Sequence, residues 1–279
     1  MNLQSTTEAR PRRLGGAVYI LPNLITTGNL FFGFFSIIKS LNGQFGWASL
    51  AIFLAAIFDV LDGRVARLTK GTSEFGVQYD SLCDCVSFGV APAFLMYQFG
   101  LLELGRIGWV ACFMFMACGA LRLARFNVLS AIGKASGDFT GLPIPMAAIT
   151  VASFISLMVD LDQRHAVDGL MDLPFINLLL NPGLRNNFLV VLSPALALLM
   201  VSNIIYKSHK VLKFQSVKPF QLLVFAVMII SLVAYAPEVV GFTLIFLYVL
   251  TGPLAWAFGL TKLTSEDEIF AESTLDEEP

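Results

Sequence analysis

The sequence predicts an all-α polytopic membrane protein of about eight transmembrane helices. Three observations predict it. Of 279 residues, 56% are apolar and only 14% charged, where a soluble domain carries about a quarter charged. Twenty-five phenylalanines and a mean hydropathy of +0.75 exceed what one water-soluble core can bury. Runs of spanning length, roughly 20 apolar residues each, recur near 21–41, 46–68, 77–100, 107–126, 143–161, 188–206, 218–235 and 239–258.

Residues 1–20 open polar, with Arg10, Arg12 and Arg13, and no small-residue cleavage site follows. They read as a retained cytosolic segment. Residues 21–263 form one membrane-embedded domain. Its first run begins with Asn23 and Thr26, the second carries Asp59 and Asp62, and the third carries Asp80 and Asp84. The fourth ends in Arg122, Arg125 and Asn127, and the fifth follows Phe139-Thr140-Gly141-Leu142-Pro143-Ile144-Pro145. A connector near 162–187 separates it from the sixth. Lys207, Lys210, Lys213 and Lys218 lead into the seventh, and the eighth precedes a disordered acidic tail at 264–279.

The formal charge of −2 hides an asymmetry. Seven acids lie after Thr264, so the body alone holds 18 basic residues against 13 acidic. Counted by side, 14 Lys and Arg fall on one face of the membrane, while Lys39, Arg106, Arg164 and Arg185 fall on the other. Cytosolic loops carry the excess, so both termini are expected in the cytosol, in a cytoplasmic (inner) membrane. The basic residues thus serve topology, and no nucleic acid is expected as a partner.

Composition also excludes chemistry. His165 and His209 both read as lying in polar connectors, which removes Ser-His-Asp and Cys-His nucleophile sets from the membrane body. No Gly-x-Ser-x-Gly or phosphate-loop string occurs. Cys83, Cys85, Cys112 and Cys118 lie in apolar stretches without metal-ligand spacing and read as packing residues. No internal repeat suggests a transporter's inverted halves.

Acids inside spanning helices cost at least about 2.5–3.5 kcal/mol each near the centre and mark function by default. Asp59 and Asp62 are three apart and Asp80 and Asp84 four apart, each pair on one helical face. Gly63, Ala66 and Gly76 keep the same stretch open to close approach. Four converging carboxylates repel unless cations neutralise them, and hard oxygen ligands suit Mg²⁺ or Mn²⁺. Arg67, one turn beyond Gly63, is placed to meet a phosphate. A metal-lined pyrophosphate pocket opening to the cytosol follows. A cation-coupled transporter would also line its path with acids.

The string Asp59-Val-Leu-Asp62-Gly63-Arg-Val-Ala66-Arg67, eight residues, Gly76, three residues, Asp80, three residues, Asp84 resembles the signature of the CDP-alcohol phosphotransferase family. Every fixed position and both spacers match. The resemblance implies metal ligation by Asp59, Asp62 and Asp80, with two divalent ions, and Asp84 as the general base. It implies nucleotide contacts at Gly63, Ala66 and Arg67, with Asn23 and Thr26 approaching CDP-diacylglycerol in a looser Pro-Asn-x-x-Thr pattern. Asn23 also reads simply as a helix cap. A homodimer is expected from the resemblance alone. The strings at Ala120–Asn127 and Phe139–Pro145 resemble those of the serine-using branch of the family, which implies phosphatidyl transfer to L-serine with release of CMP. Arg suits bidentate carboxylate recognition, and Arg125, then Arg122, with Asn127 nearby, are the expected serine contacts. Choline, glycerol 3-phosphate and inositol are the competing acceptors, and Lys134 is a further cation on the same loop.

Overall fold

The computed structural model describes residues 15–69, 73–131, 139–168, 181–206 and 236–259, with single helical positions at 227, 231 and 234. Its helices are α1 (Gly15–Leu41), α2 (Phe45–Thr69), α3 (Glu74–Asp84), a π-helical turn (Cys85–Val90), α4 (Ala91–Phe99), α5 (Arg106–Ala131), α6 (Ile144–Asp168), α7 (Pro182–Val201) and α8 (Pro237–Ala257). Seven helical stretches among the described residues are long and apolar enough to cross a membrane, α3, the π turn and α4 together making one. Apart from positions 227, 231 and 234, the run expected at 218–235 lies outside the described residues, as do the acidic tail and Lys134.

α1 shows how the sequence builds such a bundle. Its buried positions are Pro22, Thr26, Asn29, Gly33, Ser36 and Ser40, alternately four and three residues apart. That stripe is small and polar, while Phe31 and Phe34 on the other side are each more than half exposed. A soluble helix shows the reverse. In lipid, large apolar side chains face the tails, and small or polar residues let helices approach and hydrogen-bond. Ser36 accordingly donates to the Ala48 carbonyl on α2 at 2.9 Å. A Cβ at Gly28 would collide with the Phe58 ring, and one at Gly33 with Ser87. α2 answers with Ala48, Ser49, Ala51, Ala55 and Ala56. Between them, Gly43 at φ +70° makes the turn.

The third run is not a uniform helix. Ser73 caps α3 by accepting from the Gly76 N–H at 3.0 Å, with Glu74 in the first turn. The helix widens into the π turn immediately after Asp84, where Ala91 N–H donates to the Val86 carbonyl. Pro92 follows at the start of α4 and has no N–H to continue the regular ladder. α6 is the buried centre, lined by Ala147, Ala148, Val151, Ala152 and Ile155. α5 and α7 are tied by Ser193 donating to the Ala111 carbonyl at 2.8 Å.

Two short strands, β1 (Phe139–Thr140) and β2 (Ile205–Tyr206), pair antiparallel and join the segments before α6 and after α7. Gly141 at φ +75° makes the turn into α6, with its N–H on the Ile204 carbonyl at 2.8 Å. Tyr206 then donates to the Val249 carbonyl on α8 at 3.1 Å, under Gly252. Burial and the neighbouring Tyr248 push the Tyr206 phenol above its ordinary range, so it stays a donor. His165 lies in the last turns of α6, not in a connector, because that helix continues past the apolar run that ends near 161.

Alternation of the spans is visible at the end of the bundle away from the acids. There a cavity of about 820 Å³ is lined by Gln44, Asp160, Arg185 and Glu238, from the α1–α2 turn, the end of α6 and the starts of α7 and α8.

Candidate active site

Three helices meet at the acidic end. The last turns of α2 carry Asp59 and Asp62, the second turn of α3 carries Asp80, and the buried stripe of α1 faces both. One carboxylate oxygen from each of the three acids lies within 4.8 Å of the others. Asp62 is buried, while Asp59 and Asp80 are half-buried. At an effective dielectric of about 20, two full charges at that separation repel by about 3.5 kcal/mol. Asp62 Oδ2 and Asp80 Oδ1 are buried without hydrogen-bond partners. Orphaned acceptors and mutual repulsion are what a hard divalent cation would relieve, and an all-oxygen donor set fits Mg²⁺ or Mn²⁺.

Asp84 stands apart from this triangle, one turn further along α3. It is 8% exposed and accepts a 2.9 Å hydrogen bond from Asn29 Nδ2. The acids therefore divide into three that converge and one held separately.

The small residues have local reasons. At Gly63 the nearest atom to a Cβ position is Arg67 Nη2 at 4.0 Å, so the guanidinium overhangs an open patch of backbone. Ala66 is half-buried beside it. Gly76 lies against Asn23, whose Oδ1 would sit 3.3 Å from a Cβ there. Asn23 is well inside α1, so the helix-cap reading does not hold. Thr26 is 4% exposed, lies beside the Asp62 carboxylate and donates to the Pro22 carbonyl at 3.1 Å.

The end of α5 closes the other side. Arg122 is 8% exposed, and its Nε has no hydrogen-bond partner. Asp84, Tyr248 and Arg125 lie within electrostatic reach of it. Arg125 is half-buried. Asn127 Nδ2 donates to Ser81 Oγ at 2.8 Å, and that hydroxyl reaches the Val77 carbonyl at 3.1 Å.

Sequence reasoning missed Asn29, Ser81 and Tyr248. Asn29 had a signal, as the third polar residue of an Asn23, Thr26, Asn29 ladder in an apolar helix. Ser81 and Tyr248 had none, because only packing brings them to the site.

A membrane-embedded acidic triangle flanked by a separate buried carboxylate is an arrangement able to hold a divalent cation. The profile of the CDP-alcohol phosphatidyltransferase family matches residues 19–181, and the chain belongs to that family. It is similar to a CDP-diacylglycerol–serine O-phosphatidyltransferase of Helicobacter pylori, 36% identical over 247 residues, covering 88% of this chain and 94% of that one. An archaetidylserine synthase of Methanothermobacter thermautotrophicus is 45% identical over 136 residues, 48% of this chain and 57% of that one. A CDP-diacylglycerol–serine O-phosphatidyltransferase of Mycobacterium tuberculosis is 36% identical over 165 residues, 57% of each.

Proposed function

We propose that the protein transfers the phosphatidyl group of CDP-diacylglycerol to L-serine, giving phosphatidylserine and CMP. The observation that carries this reading is a buried cation facing a buried base: Arg122, with its unpartnered Nε, within electrostatic reach of Asp84. The similar proteins, named for serine transfer, support the acceptor.

In this reading the nucleotide lies along Asn23, Gly63, Ala66 and Arg67. The absent Cβ at Gly63 lets the pyrophosphate approach the backbone beneath the Arg67 guanidinium. Asp59, Asp62 and Asp80 would hold Mg²⁺ or Mn²⁺, two ions on the family resemblance, which would neutralise charge on the pyrophosphate and the departing CMP. Arg122, seconded by Arg125, takes the serine carboxylate. Burial puts Arg122 ahead of Arg125, because a desolvated guanidinium gains more from a carboxylate than a partly solvated one. Asn127, engaged with Ser81, sets α5 against α3 and so aims both arginines. The serine hydroxyl then points at Asp84. As the serine oxygen bonds to phosphorus, its proton passes to the Asp84 carboxylate, and the phosphorus–oxygen bond to CMP breaks.

The excess of Lys and Arg at the acidic end supports a cytosolic active site in an inner membrane, where serine is soluble and CMP can leave. A homodimer rests on the family resemblance. Purified protein given CDP-diacylglycerol and a panel of alcohols tests the reading. CMP release with serine alone is expected. Release with choline, glycerol 3-phosphate or inositol instead of serine overturns the acceptor, and solute flux without lipid product overturns the class.

A further inference from the structure

We propose that Asn29 is a positioning residue for the acceptor step: it holds the Asp84 carboxylate in the orientation from which that group takes the acceptor's proton. The inference rests on the reading of Asp84 as the base.

Asn29 is fully buried in the middle of a membrane-spanning helix, where a polar side chain is costly and needs a reason. Its Nδ2 donates to Asp84 Oδ1 at 2.9 Å, across 55 positions of sequence. A carboxylate only accepts, so the chemistry of Asp84 turns the amide nitrogen toward it. The amide's other end, Oδ1, is buried with no hydrogen-bond partner. A residue present only to join two helices would not leave an acceptor unsatisfied in lipid, since an apolar pair of the same shape avoids that cost. The contact to Asp84 accounts for the amide.

The backbone around this contact is fixed at a second point. Ser87, in the π turn just after Asp84, donates to the Asn29 carbonyl at 3.0 Å. Gly33, one turn along α1, has no Cβ because Ser87 occupies that space. Donor and carboxylate are thus carried on two elements locked together at Ser87, within one turn of the bond. With Oδ1 of Asp84 committed to Asn29, Oδ2 is the oxygen left for the proton. A general base must meet its proton within about 2.6–3.2 Å, so a carboxylate free to rotate would spend much of its time misaligned.

The test is a double-mutant cycle on the full-length protein in lipid nanodiscs, with Asn29→Leu, Asp84→Asn and the double variant. CMP release is measured against both CDP-diacylglycerol and serine. Loss of alignment costs on the order of 10- to 100-fold, so Asn29→Leu should lower kcat by that factor. Its KM for CDP-diacylglycerol should stay within about threefold of the parent. In the Asp84→Asn background the same change should alter kcat by less than about threefold, because a positioning residue has nothing left to position. A helix-joining role predicts the same fractional loss in both backgrounds, and that result overturns the proposal. So does parental kcat in Asn29→Leu. If Asn29→Leu fails to give a monodisperse protein that binds CDP-diacylglycerol, Asn29→Ser, whose hydroxyl falls short of Asp84, carries the same cycle. Near-normal turnover in Asp84→Asn alone removes the base assignment and the proposal with it. Equal fractional losses at Asn29 in both backgrounds, with Asp84→Asn itself strongly slowed, overturn the proposal alone.

Discussion

Replacing Arg122 with lysine tests the acceptor site directly. The guanidinium is buried and its Nε is unpartnered, so a serine carboxylate would meet a planar fork rather than a hydrated charge. Lysine keeps the charge but offers point donors without the fork. One of two charge-assisted hydrogen bonds is then lost, at about 1.5–3 kcal/mol. With 1.4 kcal/mol equal to a factor of ten, the apparent serine constant should rise roughly 10- to 150-fold. The assay is CMP release at saturating CDP-diacylglycerol across a serine titration, repeated with the lipid varied at saturating serine. The CDP-diacylglycerol constant should move by less than about threefold. Arg125→Lys should shift the serine constant less than Arg122→Lys, because Arg125 is half-buried and more of its interaction is solvated. If Arg122→Lys leaves the serine constant unchanged, the carboxylate is read elsewhere. If both constants rise together, Arg122 holds the pyrophosphate or the helix, and the assignment is wrong.

Chelation with EDTA should abolish CMP release and Mg²⁺ or Mn²⁺ restore it; Asp62→Asn and Asp80→Asn should each need more metal for half-activity, and full turnover in metal-free buffer would refute the triangle as a metal site. Asp84→Asn should lower turnover by about 10²–10⁴-fold, the usual cost of losing a general base, while an equilibrium binding measurement finds CDP-diacylglycerol affinity intact. Gly141→Ala should destabilise by about 1–3 kcal/mol, because φ is +75° and a Cβ would meet the Met200 and Ser202 carbonyl oxygens at 2.5 and 3.0 Å. Its thermal unfolding midpoint should fall, whereas Gly241→Ala, with open space around it, should leave the midpoint unchanged or raised.

Much of this protein was readable before any packing was known, because the membrane simplifies the problem. A span must be helical and apolar over about 20 residues, so seven of the eight expected runs coincide with helices among the described residues. Boundaries moved by up to several residues, as at α1, which begins at Gly15 ahead of its apolar run, and α7, which begins at Pro182 rather than near 188. The π turn after Asp84 was not foreseen: Pro92 removes a donor, but whether a helix then kinks, ends or widens depends on what packs against it. The β1–β2 pairing was equally hidden, since four residues with no strand pattern pair only because α6 and α7 bring them together.

The acids were legible because their spacing is local. Three or four residues along a helix is one face whatever the fold, so Asp59 with Asp62, and Asp80 with Asp84, were pairs in the sequence itself. Only 17 residues lie between Asp62 and Asp80, so a common site of the two pairs was expected. What spacing could not decide was how four carboxylates divide. Only tertiary packing sets three of them in a triangle within 4.8 Å and leaves the fourth against Asn29, because that partition depends on where α1 lies across the α2–α3 hairpin. The sequence reading put Arg125 ahead of Arg122, whereas the structure buries Arg122 more deeply. Burial is a property of packing, as is the presence of Asp84 on α3 and Tyr248 on α8 within electrostatic reach of Arg122.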